Sequence, residues 1–310
     1  MDPINKKRII TFLVCAFGIS WAAGLVIYLT GGLTDSPIII ESSGITLAYV
    51  LLASAYMWGP AIANILTRAI TKEGNSNLLL KLNFRKDWRY VLAAWGGTPI
   101  LVLLGTGLFF ILFPSYFDTG LSVLSSQLAL YGSDSSSSFM YQFIFLQIGY
   151  AILVSPILNL ISTFGEEFGW RGYLLPKLLP LGKRKAILLQ GVIWGVWHWP
   201  VIAMGYNYGF DYPGSPWLGP LAMVWFTVLV GIFLAWVSMK SESVWPATIA
   251  HGALNGIASI GVLFLVKNPP TLLGPYPTGV IGSIPFLVVG IALFIFAFRE
   301  EKPDVVITAN

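Results

Sequence analysis

Three short stretches carry the residues of this chain whose types and spacing could do chemistry. "FGEEFGWRG" (164–172) holds Glu166, Glu167 and Arg171, "WGVWHWP" (194–200) holds His198, and "HGALN" (251–255) holds His251 and Asn255. All three lie in or at the end of long apolar runs. An ionisable side chain at the centre of a membrane helix costs about 2.5–3.5 kcal/mol on insertion scales, so each such residue needs a reason to be there. The two histidines are the only ones among 310 residues, and both fall in apolar runs. A shared catalytic or ligand role accounts for that placement; chance placement does not require it.

Helix geometry sorts the acidic cluster. Glu167 and Arg171 are four residues apart, on one face, and can pair. Glu166 points about 100° away from Glu167 and about 140° away from Arg171 at 3.6 residues per turn. The expectation is a Glu167–Arg171 clamp and a second carboxylate, Glu166, with no local partner and free to face a cavity. His251 and Asn255, again four apart, present an imidazole and an amide on one face, the equipment for holding a developing oxyanion. His198 lies about thirteen residues into its apolar run, roughly 20 Å along a helix axis. That is deeper than the aromatic belts found at membrane surfaces.

Taken singly, each feature also has a structural reading: a charged helix end, a histidine in an aromatic belt, or a helix–helix hydrogen bond. Taken together, three helices each supply an acid or an imidazole at compatible depth. The chemistry this suggests is water activation. Glu166 with His198 deprotonates a water that attacks a peptide carbonyl, His251 and Asn255 hold the oxyanion, and Glu166 returns the proton to the leaving amine.

The elements that must position these residues are membrane helices. The chain is 56% hydrophobic and 10% charged, against about 25% charged for a soluble domain. Eight apolar segments approach the roughly 20 residues of a helical span: 9–30, 44–67, 90–113, 141–164, 186–205, 217–238, 244–266 and 280–298. The expected fold is therefore an all-α polytopic membrane protein of eight transmembrane helices, one integral domain over 1–310. Lys6, Lys7 and Arg8 precede the first span, and Arg68, Lys72, Lys81, Arg85, Lys86 and Arg89 fill the second connection. Arg171, Lys177, Lys183, Arg184 and Lys185 fill the fourth, Lys240 the sixth, and Arg299 and Lys302 the tail. Of the eighteen Lys and Arg residues only Lys267 falls on the other side. The positive-inside rule makes the basic side cytoplasmic, with both termini there.

In this reading "WRGYLLPKLLPLGKRK" (170–185) is an interfacial piece at the cytoplasmic surface. The catalytic residues then sit in the cytoplasmic half, with substrate entering from the cytosol or laterally from lipid. The net charge of +4 describes topology rather than a nucleic-acid surface, and no nucleic-acid partner is expected. Cys15, the one cysteine, excludes intrachain disulfides and a cysteine metal cluster. No H-E-x-x-H, no G-x-S-x-G and no aspartate within a span argue for zinc, serine or aspartyl chemistry. No cofactor is expected; zinc on Glu and two His is the runner-up. A membrane scaffold, or a transporter with a Glu166–His198 proton relay, is the non-enzymatic alternative.

"EEFGWR" fits an E-E-x-x-x-R pattern, "WGVWH" resembles F-x-x-x-H with Trp194 in place of Phe, and "HGALN" fits H-x-x-x-N. In this order they resemble the CPBP family, the CAAX proteases and bacteriocin-processing enzymes, over a core of roughly 160–260. These are polytopic glutamate-dependent intramembrane endopeptidases related to the type II CAAX prenyl endopeptidases. The resemblance implies Glu166 as general base assisted by His198, His251 and Asn255 as the oxyanion site, and Glu167 and Arg171 as support. The change to Trp194 is expected to enlarge an aromatic wall and leave the chemistry intact. The implied partner is a membrane-associated peptide or protein, lipidated or not, in a prokaryotic cell membrane.

Overall fold

A computed structural model of the chain describes residues 2–299 apart from 131, 134 and 135. The tail residue Lys302 and part of the "GSDSSSS" loop lie outside the described residues. Five helices are long and apolar enough to cross a bilayer: α1 (Pro3–Leu29), α2 (Leu47–Ile70), α3 (Phe84–Leu112), then Leu218–Ser241 and Trp245–Phe264. The chain is an integral, multi-pass helical membrane protein. A short antiparallel ribbon, β1 (Ile38–Ile40) with β2 (Ile45–Thr46), leads into α2.

The expected spans at 141–164, 186–205 and 280–298 are shorter or broken helices: α4 (Ser137–Leu153), then α5 (Leu160–Gly169), α6 (Lys183–Trp197) and, near the end, Ile284–Phe296. The breaks have identifiable causes. Pro156 has no N–H for the carbonyl of Ile152, and the indole of Trp95 on α3 donates to that oxygen instead, at 2.7 Å. Pro200 follows the end of α6 at His198, and the carbonyl of Trp197 there accepts from Tyr56 Oη at 2.6 Å and Trp21 Nε1 at 3.1 Å. Side chains of α1, α2 and α3 thus serve backbone groups that lipid could not.

α5 does not end where its apolar run ends. It continues through a wider turn, Trp170–Leu174, into Leu175–Leu178. The expected interfacial piece therefore begins as helix buried within the protein: Trp170, Arg171, Tyr173, Leu174, Leu175 and Leu178 are all buried. Phe12 of α1 packs edge-on against Trp170 and beside Tyr173. At the far end of this run, Lys177, Tyr173 and Arg8 converge on Glu73 beyond α2. Burial opposes ionisation of Glu73, but these partners outweigh it and hold its carboxyl below the usual range.

Close helix approach depends on glycines. α2 packs between α1 and α5, and α6 packs on α7 (Leu218–Ser241). Gly165 and Gly169 form a G-x-x-x-G face of α5 against α2, where a Cβ on Gly169 would stand 2.3 Å from that of Pro60. Gly191 and Gly195 do the same for α6, where a Cβ on Gly195 would stand 2.6 Å from Val224 Cα. The last site helix, α8 (Trp245–Ile257), is packed against α5 and α7, with α9 (Ile284–Phe296) outside α7.

Gly169→Ala is expected to lower thermal stability in detergent by about 1–3 kcal/mol, the range for overpacking. Gly149→Ala, at a position with nothing within 4 Å of an added Cβ, serves as control. Equal melting of the two variants would show that the α2–α5 contact is not tight.

Candidate active site

Glu166 and Glu167 come from α5, Trp194 and His198 from the end of α6, and His251 and Asn255 from α8. Glu166, Trp194, His198, His251 and Asn255 line one cavity of about 390 Å³, with Tyr56 and Trp197 forming an aromatic wall. Glu166, Glu167, Arg171, His198 and His251 are buried, while Asn255 is exposed toward the cavity mouth. The structure thus gathers every predicted cavity residue and keeps Arg171 and Glu167 behind them.

The Glu167–Arg171 clamp forms as helix phase predicts, with Arg171 Nη1 donating to Glu167 Oε1 at 2.9 Å. The same oxygen lies 2.9 Å from His251 Nδ1, a link across 84 residues that helix phase gave no sign of. A carboxylate oxygen only accepts, so Nδ1 of His251 carries the proton and its Nε2 is left for the cavity. His198 Nδ1 lies 2.8 Å from the carbonyl of Trp194, which fixes the same tautomer there. Both imidazoles are therefore held by one nitrogen and offer the other.

Glu166 is not without a partner. The indole Nε1 of Trp194 donates to its Oε2 at 2.7 Å, leaving Oε1 outside that bond. This corrects two expectations. The unpartnered carboxylate has a tertiary partner, and Trp in place of Phe adds a donor on the proposed base rather than only a larger wall. Trp194 also carries the Arg171 guanidinium over its ring face at 4.4 Å. Its ring lies 5.3 Å from that of His251 and 5.6 Å from that of His198. Sequence reasoning missed Trp194 as a polar contact, although an indole N–H buried among carboxylates needs an acceptor.

The cavity does not lie at the basic end of the bundle. Because the helix of Glu166 continues to Leu178, Glu166 sits about 16 Å before Lys177 at 1.5 Å per residue. The cavity is lined by Tyr49, Tyr206, Asn207 and Thr278, which come from the end of the bundle poor in Lys and Arg. The apolar run that ends at 164 is thus not the end of its helix.

Residues 143–257 match the family described as type II CAAX prenyl endopeptidase Rce1-like. That segment resembles this family. It contains all six of the residues singled out above. A protein of Methanococcus maripaludis named CAAX prenyl protease 2 is 34% identical over 125 residues, which is 36% of this chain and 45% of that protein. The chain thus spans less than half the length of that relative. The Rce1-like segment begins inside α4 and ends with α8, so α2, which lines the cavity from Tyr49 to Met57, lies outside it.

Removing Arg171 strands a carboxylate that is fully buried. Arg171→Leu is expected to cost about 3–5 kcal/mol, the range for breaking a buried ion pair from one side, read as a lower melting temperature in detergent. Wild-type melting would mean that the pair is not closed in the membrane.

Proposed function

We propose that this protein is an intramembrane, metal-independent glutamate endopeptidase that cleaves a membrane-associated peptide or protein, lipidated or not. The observation that carries the reading is the convergence of Glu166, His198, His251 and Asn255 on one buried cavity within an Rce1-like segment. The Methanococcus maripaludis relative, a protease by its name, supports the reaction class. We retain eight passes with both termini cytoplasmic: the five span-length helices and the charge pattern support it.

In this mechanism Glu166 takes a proton from water while neutral His198 accepts the water's other hydrogen at Nε2. The water oxygen bonds to the peptide carbonyl carbon, and the carbonyl oxygen becomes the oxyanion. Asn255 donates to it through its amide N–H, and His251 through Nε2 when that nitrogen also carries a proton. The C–N bond then breaks, and the proton on Glu166 passes to the leaving amine. Glu167 holds the His251 ring and is itself held by Arg171.

The hydrogen bonds engage Nδ1 of both histidines and Oε2 of Glu166 and leave both Nε2 atoms and Oε1 available, so hydrogen bonding by itself does not decide against a metal. Among the described residues, no group of three His, Cys, Asp or Glu side chains is gathered as metal ligands are.

Terminal proteomics of membranes is expected to show new peptide ends with wild type and their loss, by about 10²–10⁴ in rate, with Glu166→Gln, the usual span for a general base. A strong chelator is expected to leave cleavage unchanged. Ends that persist in Glu166→Gln would remove the base from the mechanism, and stoichiometric zinc lost together with activity would replace it with a metal site. Trp194→Phe keeps the ring and the Arg171 stack but not the donor. Losing one hydrogen bond to a charged group, about 1.5–3 kcal/mol, should slow cleavage about 10–100-fold. Wild-type turnover in this variant would return Trp194 to a wall residue.

A further inference from the structure

Arg171 is fully buried, and a guanidinium carries five N–H donors. Its Nη1 donates to Glu167 Oε1. Among the described residues its Nη2 and Nε, the Oε2 of Glu167 and both polar atoms of the Gln190 carboxamide are buried with no hydrogen-bond partner. Gln190 is fully buried on α6, four residues before Trp194 and eight before His198, so the three share one face of that helix. Buried polar groups left unbonded are rare and costly, most of all on a charged side chain.

α7 supplies the space between them. Gly231 stands in the middle of this 24-residue helix, where glycine is disfavoured relative to alanine. Helix approach does not require it. A Cβ on Gly165, Gly169, Gly191 or Gly195 would come within 2.8 Å of a neighbouring helix, whereas on Gly231 it would meet nothing closer than 3.5 Å. The atoms around that point are Arg171 Nη2 at 3.5 Å, Gly191 Cα at 3.7 Å and Gln190 Oε1 at 3.9 Å. The nitrogen is a donor and the amide oxygen an acceptor, and they make no direct hydrogen bond. A single oxygen between them can accept from the first and donate to the second.

We propose that one ordered water at Gly231 bridges Arg171 Nη2 to Gln190 Oε1, and that Gln190 is a positioning residue for His251, acting through this water, Arg171 and Glu167. The water accepts from Nη2 and donates to Oε1, which makes two of the roughly two to four hydrogen bonds of a buried water. The links beyond it are short: Arg171 Nη1 to Glu167 Oε1 and that oxygen to His251 Nδ1 are both 2.9 Å. Held toward α6 by the bridge, the guanidinium gives one edge to Glu167 and its face to Trp194. Without the bridge, Nη2 is released to turn to Glu167 Oε2, and the bond that Glu167 shares with His251 is disturbed. None of these contacts depends on the reaction that the site performs.

Gly231→Ala and Gly231→Ser, made in the full chain and purified in detergent, separate the bridge from packing. The first puts a methyl group in the water's place. The second is larger and a poorer helix former, but its hydroxyl can itself accept from Nη2 and donate to Oε1. The two histidines of the chain give two imidazoles in a spectrum of ring-nitrogen-labelled protein, told apart with His198→Gln. Gly231→Ala is expected to melt below wild type and to shift the ring-nitrogen signals of His251 but not those of His198; Gly231→Ser is expected to keep both imidazoles as in wild type. Gly231→Ala melting at or above wild type, as helix preference alone dictates, overturns the proposal. So do unmoved His251 signals in that variant, or a Gly231→Ser spectrum as disturbed as that of Gly231→Ala. If the glycine variants do not fold, Gln190→Met, which keeps the shape without an acceptor, is read against Gln190→Glu, which keeps an acceptor. The His251 signals are then expected to move in the first and hold in the second, and any other order overturns the bridge.

Discussion

One carboxylate oxygen, Glu167 Oε1, receives both a guanidinium from its own helix and an imidazole from α8. Much of the site follows from that shared atom. It fixes the His251 ring with Nε2 toward the cavity, and it anchors Arg171, whose guanidinium in turn covers the face of Trp194. Trp194 then binds Glu166 through its indole edge. Three helices are joined in sequence by contacts between buried charged or aromatic groups, where such interactions are strong and the loss of one partner is costly.

The polar chain needs helices that approach closely, and the glycines allow it. Gly165 and Gly169 flank the two glutamates, Gly191 and Gly195 flank Trp194, and Gly252 and Gly256 flank Asn255. Each site segment therefore carries its chemistry beside a small-residue face. In lipid, association of helices relies on close packing and interhelical hydrogen bonds, because lipid tails are as apolar as leucine. The same four-residue period that sets the glycines on one face sets Glu167 with Arg171 and His251 with Asn255 on others.

How far the sequence could be read follows from the range of each interaction. The Glu167–Arg171 pair is local, so helix phase alone gives it. The gathering of Glu166, His198, His251 and Asn255 was legible as ionisable and amide residues that apolar helices otherwise avoid. The contact between Glu167 and His251 spans 84 residues, and that between Trp194 and Glu166 spans 28; no period within one helix encodes either. The fourth span was ended at 164 with Arg171 counted in the connection, whereas the helix runs on to Leu178 with Arg171 paired to Glu167 inside it. The glycine pairs were present as G-x-x-x-G in apolar runs, a signal that spacing alone offered.

Helix length also explains why there is a cavity at all. α1, α2, α3 and α7 are long enough to run the thickness of a bilayer, as is α8 together with the tighter turn that follows it to Phe264. Two of the helices that carry the chemistry are interrupted: α5 starts after the break at Pro156 and α6 stops at His198. A helix that ends inside the bundle leaves room beyond its last residue and frees backbone groups that must be met by side chains, as Tyr56, Trp21 and Trp95 do. Irregular backbone at membrane depth is tolerated where it is buried in protein or lines a cavity. The prolines that break these helices therefore make the space that Glu166, His198 and His251 line.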